Sequence, residues 1–395
     1  MKLKGLFVLY VLSLILIGCI SEFDAKLPFN NEILVIDGSI TENTAIFYLS
    51  KSFPLDCAEA PEESFNIDAK LTIIGSNGYQ SPPATNMGKG EYRIVAGELS
   101  NDVEYGIKIE YEGDTYQSTL SKLLRTPEID SISWIQPERN GNIFFQISTH
   151  DDTEGSRFFL WNYTEDWEIT ADIATSIILE RGSLTRPPGY YLEPAPYYYC
   201  WKKNVSNKLL IGSTESLIEN RIINKQFYEG ILEDDRFSVL YCITVYQKAI
   251  SKEAYEYYQS KLKFNEEMGG LFTPQPSEVK GNITCITDPS KRVIGYVETV
   301  KNTTQKRIFV SEAQITRPHP RIDCKLIPHD SVPKHVSANS QNKYGDFYNM
   351  GCRPAGGPDI RGTFPVNWAE RSCVECIAKE GATKNKPDFW PNDHE

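Results

Sequence analysis

The sequence predicts a mainly β protein with an N-terminal immunoglobulin- or fibronectin-like sandwich. A second β-sandwich-like domain with a helical insertion follows, and then a disulfide-rich, irregular C-terminal region. Three observations predict this organisation. Short runs of β-branched and aromatic residues recur between turn residues as far as about residue 313. A single segment near 251–268 has helical spacing, and four of the nine cysteines lie after residue 314.

Residues 26–125 contain several short segments with the alternation of half-buried strands. Tyr105, Ile107, Ile109 and Tyr111 fall on one face of such a segment, because successive side chains of a strand point to opposite sides. The segment 112–114, Glu-Gly-Asp, then forms a hairpin signal. About 100 residues of short strands and turns predict a sandwich of two sheets.

Residues 126–313 are predicted to form the second β-rich domain, which begins after Pro127. The strand signals lie at 129–134, 142–148, 157–163, 237–246, 281–284, 293–298 and 306–310. The helix near 251–268 is predicted from Ser251 as a cap and from a stripe that includes Ala254, Tyr255 and Tyr258. We expect this stripe to pack in a core.

Residues 314–395 are polar and lack clear periodicity, apart from a short helix expected at 368–379. We expect this region to pack on the second domain and to depend on disulfides, because it cannot bury enough apolar area by itself. The candidates are Cys57, Cys200, Cys242, Cys285, Cys324, Cys352, Cys373 and Cys376. Their pairing stays open, since eight cysteines allow 105 complete pairings. The Cys373–Cys376 spacing is also compatible with zinc or redox chemistry, but no second motif accompanies it.

The N-terminus predicts export and lipid anchoring. Lys2 and Lys4 precede an apolar run of about 12 residues, which is too short to span a bilayer that needs about 20. Leu-Ile-Gly-Cys at 16–19 resembles the lipobox of bacterial lipoproteins. We therefore expect residues 1–18 to be a signal peptide, Cys19 to be lipidated, and residues 19–25 to form a tether. A cleaved ordinary signal or a short transmembrane anchor is the alternative. The acidic residues that follow favour exposure at the cell surface.

Composition and motifs exclude several functions. The formal net charge of −12 disfavours nucleic acid, which is bound by clustered Lys and Arg. No metal-binding histidine pair, nucleophile elbow or phosphate-binding loop occurs in the sequence. We therefore predict no catalytic residue, no metal and no cofactor. The segment 186–199 carries five tyrosines among prolines, and tyrosine favours interfaces. The predicted contacts with a partner or ligand are Tyr190, Tyr191, Tyr197, Tyr198 and Tyr199; the alternative is that they pack on the second sandwich.

Several segments in order resemble the DUF4249 family of Bacteroidota lipoproteins. They include Tyr-Cys-Trp at 199–201, the strand-to-helix passage at 246–258, and Gly-Leu-Phe-Thr-Pro-Gln-Pro-Ser-Glu-Val-Lys-Gly-Asn at 270–282. Val-Ile-Gly-Tyr at 293–296 follows, then Cys-Val-Glu-Cys at 373–376 and the segment 381–390. The resemblance covers residues 19–395, with Ala382 where a second glycine is expected.

The resemblance implies a surface partner of a TonB-dependent, starch-utilisation-type receptor in the outer membrane. It implies no catalytic residue. The function predicted first is therefore a non-enzymatic accessory or lid subunit of such a receptor complex that binds cargo or partner. Two alternatives stay open. One is a role in the biogenesis of outer-membrane proteins or surface lipoproteins, and the other is a cell-surface hydrolase with paired carboxylates in a cleft.

Overall fold

The computed structural model describes residues 33–53, 60–153, 155–180, 183–185, 197–232, 234–267, 280–318, 324–328, 347–356 and 367–391. The predicted signal peptide, Cys19, Cys57, Tyr190 and Tyr191 lie outside these residues. Strands predominate in the described residues, and the prediction of a mainly β fold is confirmed.

The N-terminal region contributes eight strands. They are β1 (Leu34–Ile40), β2 (Asn43–Lys51), β3 (Lys70–Gly75), β4 (Thr85–Gly88), β5 (Glu91–Gly97), β6 (Glu104–Tyr111), β7 (Asp114–Ser118) and β8 (Ser121–Lys122). The alternation predicted for the segment around β6 is observed, because Tyr105, Ile107 and Ile109 are buried. The 3-10 turn Glu62–Phe65 precedes β3.

The central and C-terminal regions contribute the remaining elements. The central strands are β9 (Ile129–Ile135), β10 (Ile143–His150), β11 (Phe158–Thr170), β12 (Ile178–Glu180), β13 (Ser183–Thr185), β14 (Tyr199–Val205), β15 (Leu210–Ser213), β16 (Arg221–Gly230) and β17 (Leu240–Ile250). Helix α1 (Lys252–Glu267) is followed by β18 (Ile283–Cys285), β19 (Val293–Thr299), β20 (Thr304–Ser311), β21 (Cys352–Ala355), β22 (Asn367–Glu370) and helix α2 (Arg371–Val374). Further 3-10 turns lie at Asp235–Phe237, Glu312–Gln314 and Cys376–Ala378.

The first sandwich consists of two five-stranded sheets. One has the order β19-β1-β2-β5-β4, and the other has the order β18-β7-β6-β3 with β8 also paired to β6. Their inner faces share one core, in which Ile36 and Phe47 of the first sheet meet Leu71 and Ile107 of the second. Burial of these apolar faces is the main term that stabilises such a sandwich.

The predicted domain boundary is corrected by β18 and β19. The sequence analysis placed both strands in the second domain, but β19 pairs in parallel with β1 and β18 pairs with β7. The approach of β19 to β1 is so close that a Cβ on Gly295 would lie 1.7 Å from the Ile36 carbonyl oxygen. Local alternation identifies a strand but not its sheet, because pairing across 165 residues for β18 and 259 residues for β19 leaves no local signal.

The second sandwich contains the other large sheets. One sheet has the order β14-β11-β17-β20, with β15 also paired to β11, and the other has the order β16-β10-β9. The core between them is rich in aromatic residues, including Phe145, Trp161 and Tyr241. The short strands β12 and β13 form a separate hairpin.

Helix α1 forms where it was predicted. The Ser251 hydroxyl accepts a hydrogen bond from the Ala254 amide, 3.1 Å, as expected of an N-cap residue. Ala254, Tyr257 and Tyr258 are buried against Tyr296 of β19 and Phe158 of β11. The helix therefore covers the junction between the sandwiches. Among the described residues, no helix combines the length and the apolarity needed to cross a bilayer.

The described part of the C-terminal region packs on the second sandwich. Trp390 lies beside Phe309 of β20 with ring centroids 5.6 Å apart, and the amide of Trp201 donates to the Thr383 carbonyl, 2.9 Å. The helix predicted at 368–379 is shorter than expected, because Asn367–Glu370 forms β22 and pairs with β21. Trp368 on that strand is fully buried and stacks on Phe347, which favours the strand over helix at this position.

Candidate functional site

A cleft of about 500 Å³ lies between the two sandwiches. One wall is the outer face of β1 and β2, where Thr44, Ile46 and Tyr48 line the space. The other wall is formed by residues of the second sandwich, including Leu160 and Asn162 on β11. Ile46 and Tyr48 are 36% and 53% exposed, so the cleft opens to solvent along β2.

The floor of the cleft is a buried hydrogen-bond network around Glu298 of β19. The Ser39 hydroxyl donates to Glu298 Oε2 at 2.8 Å, and Lys248 Nζ donates to the Ser39 oxygen at 2.6 Å. Lys248 Nζ also lies 3.4 Å from Glu298 Oε2. The Tyr258 hydroxyl donates to the other carboxylate oxygen, Oε1. Because β1, β17, β19 and α1 all contribute, this network joins the two sandwiches.

Burial and nearby carboxylates keep the tyrosines of this junction neutral. The pKa of Tyr258 is raised well above its ordinary value, first by burial and then by Glu298. Burial likewise raises the pKa values of Tyr257 and Tyr296. At the edge of the junction, burial raises the pKa of Asp37, while Lys261 opposes the shift. A neutral phenol can donate to Glu298, which a phenolate cannot do.

Sequence reasoning missed the residues of this network. Glu298 stands at the end of a segment that was predicted only as a strand, and Lys248 lies just beyond the end of another, 237–246. A signal for them did exist, because a charged side chain within an apolar strand is expected to have a partner if it is buried. The identity of that partner required the pairing of β19 with β1, which the sequence analysis did not predict.

A loop at residues 214–220, between β15 and β16, exposes two neighbouring apolar side chains among polar ones. We call it the Ile218 loop, because Ile218 is fully exposed; its neighbour Leu217 is 47% exposed. Hydrogen bonds hold the loop: the Thr214 hydroxyl donates to Asn220 Oδ1 at 2.5 Å, and Arg157 donates to the Thr214 and Leu217 carbonyls, each at 3.1 Å. The exposed isoleucine is therefore presented on a fixed backbone.

The tyrosines predicted as contacts differ in solvent exposure, and two of them lie outside the described residues. Tyr190 and Tyr191 lie outside the described residues. Tyr198 and Tyr199 are half-buried, with their rings edge to face at 4.9 Å. Tyr197 is 45% exposed, and its carbonyl accepts from the Cys376 amide, 2.9 Å. The structure thus places part of this segment against the C-terminal region and leaves Tyr197 accessible.

The cysteines form two disulfides among the described residues, Cys200–Cys376 and Cys324–Cys373. Cys373 and Cys376 therefore have different partners. The carboxylate of Asp172 and the sulfurs of Cys324 and Cys373 lie within 4.8 Å of one another, but both sulfurs belong to the disulfide and offer no thiolate for a metal.

The prediction of a disulfide is wrong for Cys242, Cys285 and Cys352, which are free and buried. Each belongs to a different apolar cluster, so none has another of the three as a neighbour. They act as small apolar side chains. Burial raises the pKa of the Cys242 thiol to about 12, and this thiol is correspondingly unreactive.

Comparison with known proteins gives a family and likenesses to solved structures. A segment of two fibronectin type III domains from chicken tenascin matches at 11% identity, over 55% of this chain and 91% of that chain, with a TM-score of 0.17. No curated protein matches the chain. The model of the family described as a domain of unknown function, DUF4249, matches residues 20–306, so the C-terminal segments of the resemblance lie beyond the match. This match spans more than half of the sequence, and the chain belongs to the DUF4249 family.

Proposed function

We propose that this protein is a non-enzymatic lipoprotein of the outer-membrane surface that acts as an accessory or lid subunit of a TonB-dependent receptor complex. The lipobox-like segment ending at Cys19 supports the anchor, and the family resemblance supports the partner. The structural observation that carries the proposal is the Ile218 loop, because it is an apolar contact surface with no covering element among the described residues.

The Ile218 loop suits protein contact for two physical reasons. Burying an isoleucine side chain that is otherwise in water stabilises a complex by roughly 1.5–3 kcal/mol. The hydrogen bonds from Arg157 and Thr214 hold the loop in one conformation, so little conformational entropy is lost on binding. Docking through this loop, together with the lipid at Cys19, would hold the protein at two points.

The cleft supports binding rather than catalysis. Both oxygens of Glu298 are engaged, by Tyr258 on one side and by Ser39 and Lys248 on the other. A carboxylate held in this way has little freedom to take a proton from a substrate. Glu298 is also the one carboxylate among the described residues that line the cleft, whereas glycoside hydrolysis generally needs a pair.

Detergent extraction and affinity purification of the tagged full-length chain test the proposal. We expect a TonB-dependent receptor to co-purify with the wild-type protein and its recovery to fall about tenfold or more for Ile218→Asp, since a carboxylate would have to be desolvated in the contact. The matched control is Val205→Asp, because Val205 is 65% exposed and lies on β14, opposite Thr164 of β11 and outside the Ile218 loop.

Two outcomes would count against the proposal. If the wild-type chain recovers no TonB-dependent receptor, the accessory role is wrong. If it instead recovers the machinery that assembles outer-membrane proteins, the biogenesis alternative is favoured, and depletion of the protein should then cause a general envelope defect. Equal losses for Ile218→Asp and Val205→Asp would place the contact elsewhere on the surface.

A further inference from the structure

We propose that the cleft between the sandwiches binds a neutral, hydroxyl-rich ligand, namely an oligosaccharide. This inference deepens the proposed function by naming the class of ligand, and it rests on the view that the protein is a binding protein. The volume of about 500 Å³ lies within the range of about 300–1,000 Å³ that is typical of ligand pockets.

The charge of the cleft favours a neutral ligand. Lys248 and Glu298 are the charged side chains among its described lining residues, and they neutralise each other at 3.4 Å. An anionic ligand would have to compete with Glu298 for Lys248, and a cationic ligand would have to compete with Lys248 for Glu298. Either competition would leave a buried charge without its partner, which is strongly unfavourable.

The polar groups of the walls match the hydroxyls of a sugar. Thr41, Thr44, Asn162 and Thr303 line the cleft with hydroxyl and carboxamide groups. The side chains of Asn162 and Thr303 are exposed, and the described residues give them no hydrogen-bond partner. A carboxamide both donates and accepts hydrogen bonds, as a hydroxyl does. These groups can therefore donate to a sugar hydroxyl or accept from one.

Tyr48 supplies an aromatic surface beside these polar groups. It is 53% exposed and stands next to Ile46 on the same face of β2. The electron-rich face of an aromatic ring attracts the weakly positive C–H groups that a pyranose ring presents. A tyrosine platform flanked by hydroxyl and amide groups is therefore complementary to one face and one edge of a sugar.

The sheet topology disfavours an extended peptide as the ligand. Peptides commonly bind by adding a strand to a free sheet edge. The strands β1, β2, β11 and β17 are each paired on both sides, and β19, which carries Glu298 and is the end strand of its sheet, is hydrogen-bonded to Asn282 and Leu124. Recognition in this cleft therefore depends on side chains, which suits a ligand that carries hydroxyls on all sides.

Isothermal titration of the purified chain tests the inference with four probes: maltohexaose, cellohexaose, laminarihexaose and, as a peptide, hexaglycine. We expect at least one oligosaccharide to bind and hexaglycine not to bind. Tyr48→Ala and Asn162→Ala should each weaken that binding about tenfold, whereas Tyr48→Phe should keep most of it because the ring remains. The control Met87→Ala, on the edge strand β4 of the same sheet, should have no effect; Met87 is 52% exposed and does not line the cleft.

The inference is overturned if none of the three oligosaccharides binds at about 10 mM, a concentration that detects even millimolar affinity. It is also overturned if sugar binding is unchanged in both Tyr48→Ala and Asn162→Ala, or if hexaglycine binds and the oligosaccharides do not. These failures are distinct from failure of the proposed function. A chain that recovers its receptor but binds no sugar contradicts only the inference, and a chain that binds sugar but recovers no receptor contradicts only the accessory role.

Discussion

The two sandwiches are built from the same kind of element but are stabilised differently. The core of the first sandwich is mostly aliphatic, with residues such as Ile36, Leu71 and Ile107. The core of the second sandwich contains more aromatic residues and adjoins the buried carboxyls of Glu165, Asp166 and Glu168 on β11. The six tryptophans also lie outside the first sandwich: Trp134, Trp161, Trp167, Trp201, Trp368 and Trp390.

Glu165 shows how the second sandwich accommodates a buried charge. Its carboxylate accepts from the Tyr241 hydroxyl at 2.9 Å and from the Asn204 amide at 2.7 Å, and Arg236 Nε lies 3.2 Å away. Such groups are tolerated in a core only when their partners are present. The stability of the first sandwich therefore depends mainly on apolar burial, whereas that of the second also depends on a particular set of polar contacts.

The largest effect is expected from Glu165→Ala, which leaves Tyr241 and Asn204 without their shared acceptor and removes the carboxylate that lies beside Arg236. We expect the free energy of unfolding to fall by about 3–5 kcal/mol. Urea denaturation followed by tryptophan fluorescence measures this change. Glu165→Gln is the matched control and should lose less, because the amide oxygen still accepts. A loss below about 1 kcal/mol for Glu165→Ala would show that this polar set is not needed.

The disulfide Cys200–Cys376 should give the next largest effect. It ties β14 to the C-terminal region across a sequence separation of 176 residues. Removing it by Cys200→Ala together with Cys376→Ala should lower the free energy of unfolding of the second sandwich and the C-terminal region by about 2–4 kcal/mol. A reducing agent should lower the melting temperature of the wild type more than that of the double variant. Equal responses of the two proteins would contradict a stabilising role for this disulfide.

The same contrast explains what the sequence could predict. The strand near Tyr105–Tyr111 was predicted because aliphatic and aromatic residues alternate with polar ones. A strand that buries only one of its faces shows this alternation in its own sequence. Strand β11 was predicted only as far as Tyr163, because Glu165, Asp166 and Glu168 break that pattern although all three are buried. Their partners come from distant segments, as when the Trp390 indole donates to Glu168 at 3.3 Å.

The cleft was unpredictable for a related reason. Ser39 and Glu298 meet because β19 returns to β1, and Lys248 meets them from the other sandwich. Ser39 and Glu298 occur in segments that were predicted as strands, whereas Lys248 lies two residues beyond the predicted strand 237–246. Their assembly into one site depends on long-range contacts, which have no local signature.

Alkaline pH should destabilise the second sandwich through Tyr241. Burial, and then Glu165, raises the pKa of this tyrosine well above its ordinary value of 10.0. Above pH 10 the unfolded chain releases a proton that the folded chain retains, so stability falls as pH rises, by up to about 1.4 kcal/mol for each pH unit. Tyr241→Phe should reduce this pH dependence, because phenylalanine has no proton to release. Identical slopes for the wild type and Tyr241→Phe, measured by urea denaturation at several pH values, would contradict the prediction.

The smallest effect is expected from a conservative change in the aliphatic core. Ile107 on β6 is fully buried, and Ile107→Val removes one methylene group. We expect the free energy of unfolding to fall by about 0.5–1.5 kcal/mol. This loss is the transfer free energy of one methylene group plus the cost of a small cavity. Hydrogen exchange of the β3 and β6 amides should report this loss, since these strands pair across Ile73 and Ile107. The tryptophan transition should stay unchanged if the sandwiches unfold separately. A matching shift of that transition would mean that the network around Glu298 couples the two sandwiches into one folding unit, so that their different cores would no longer imply separate stabilities.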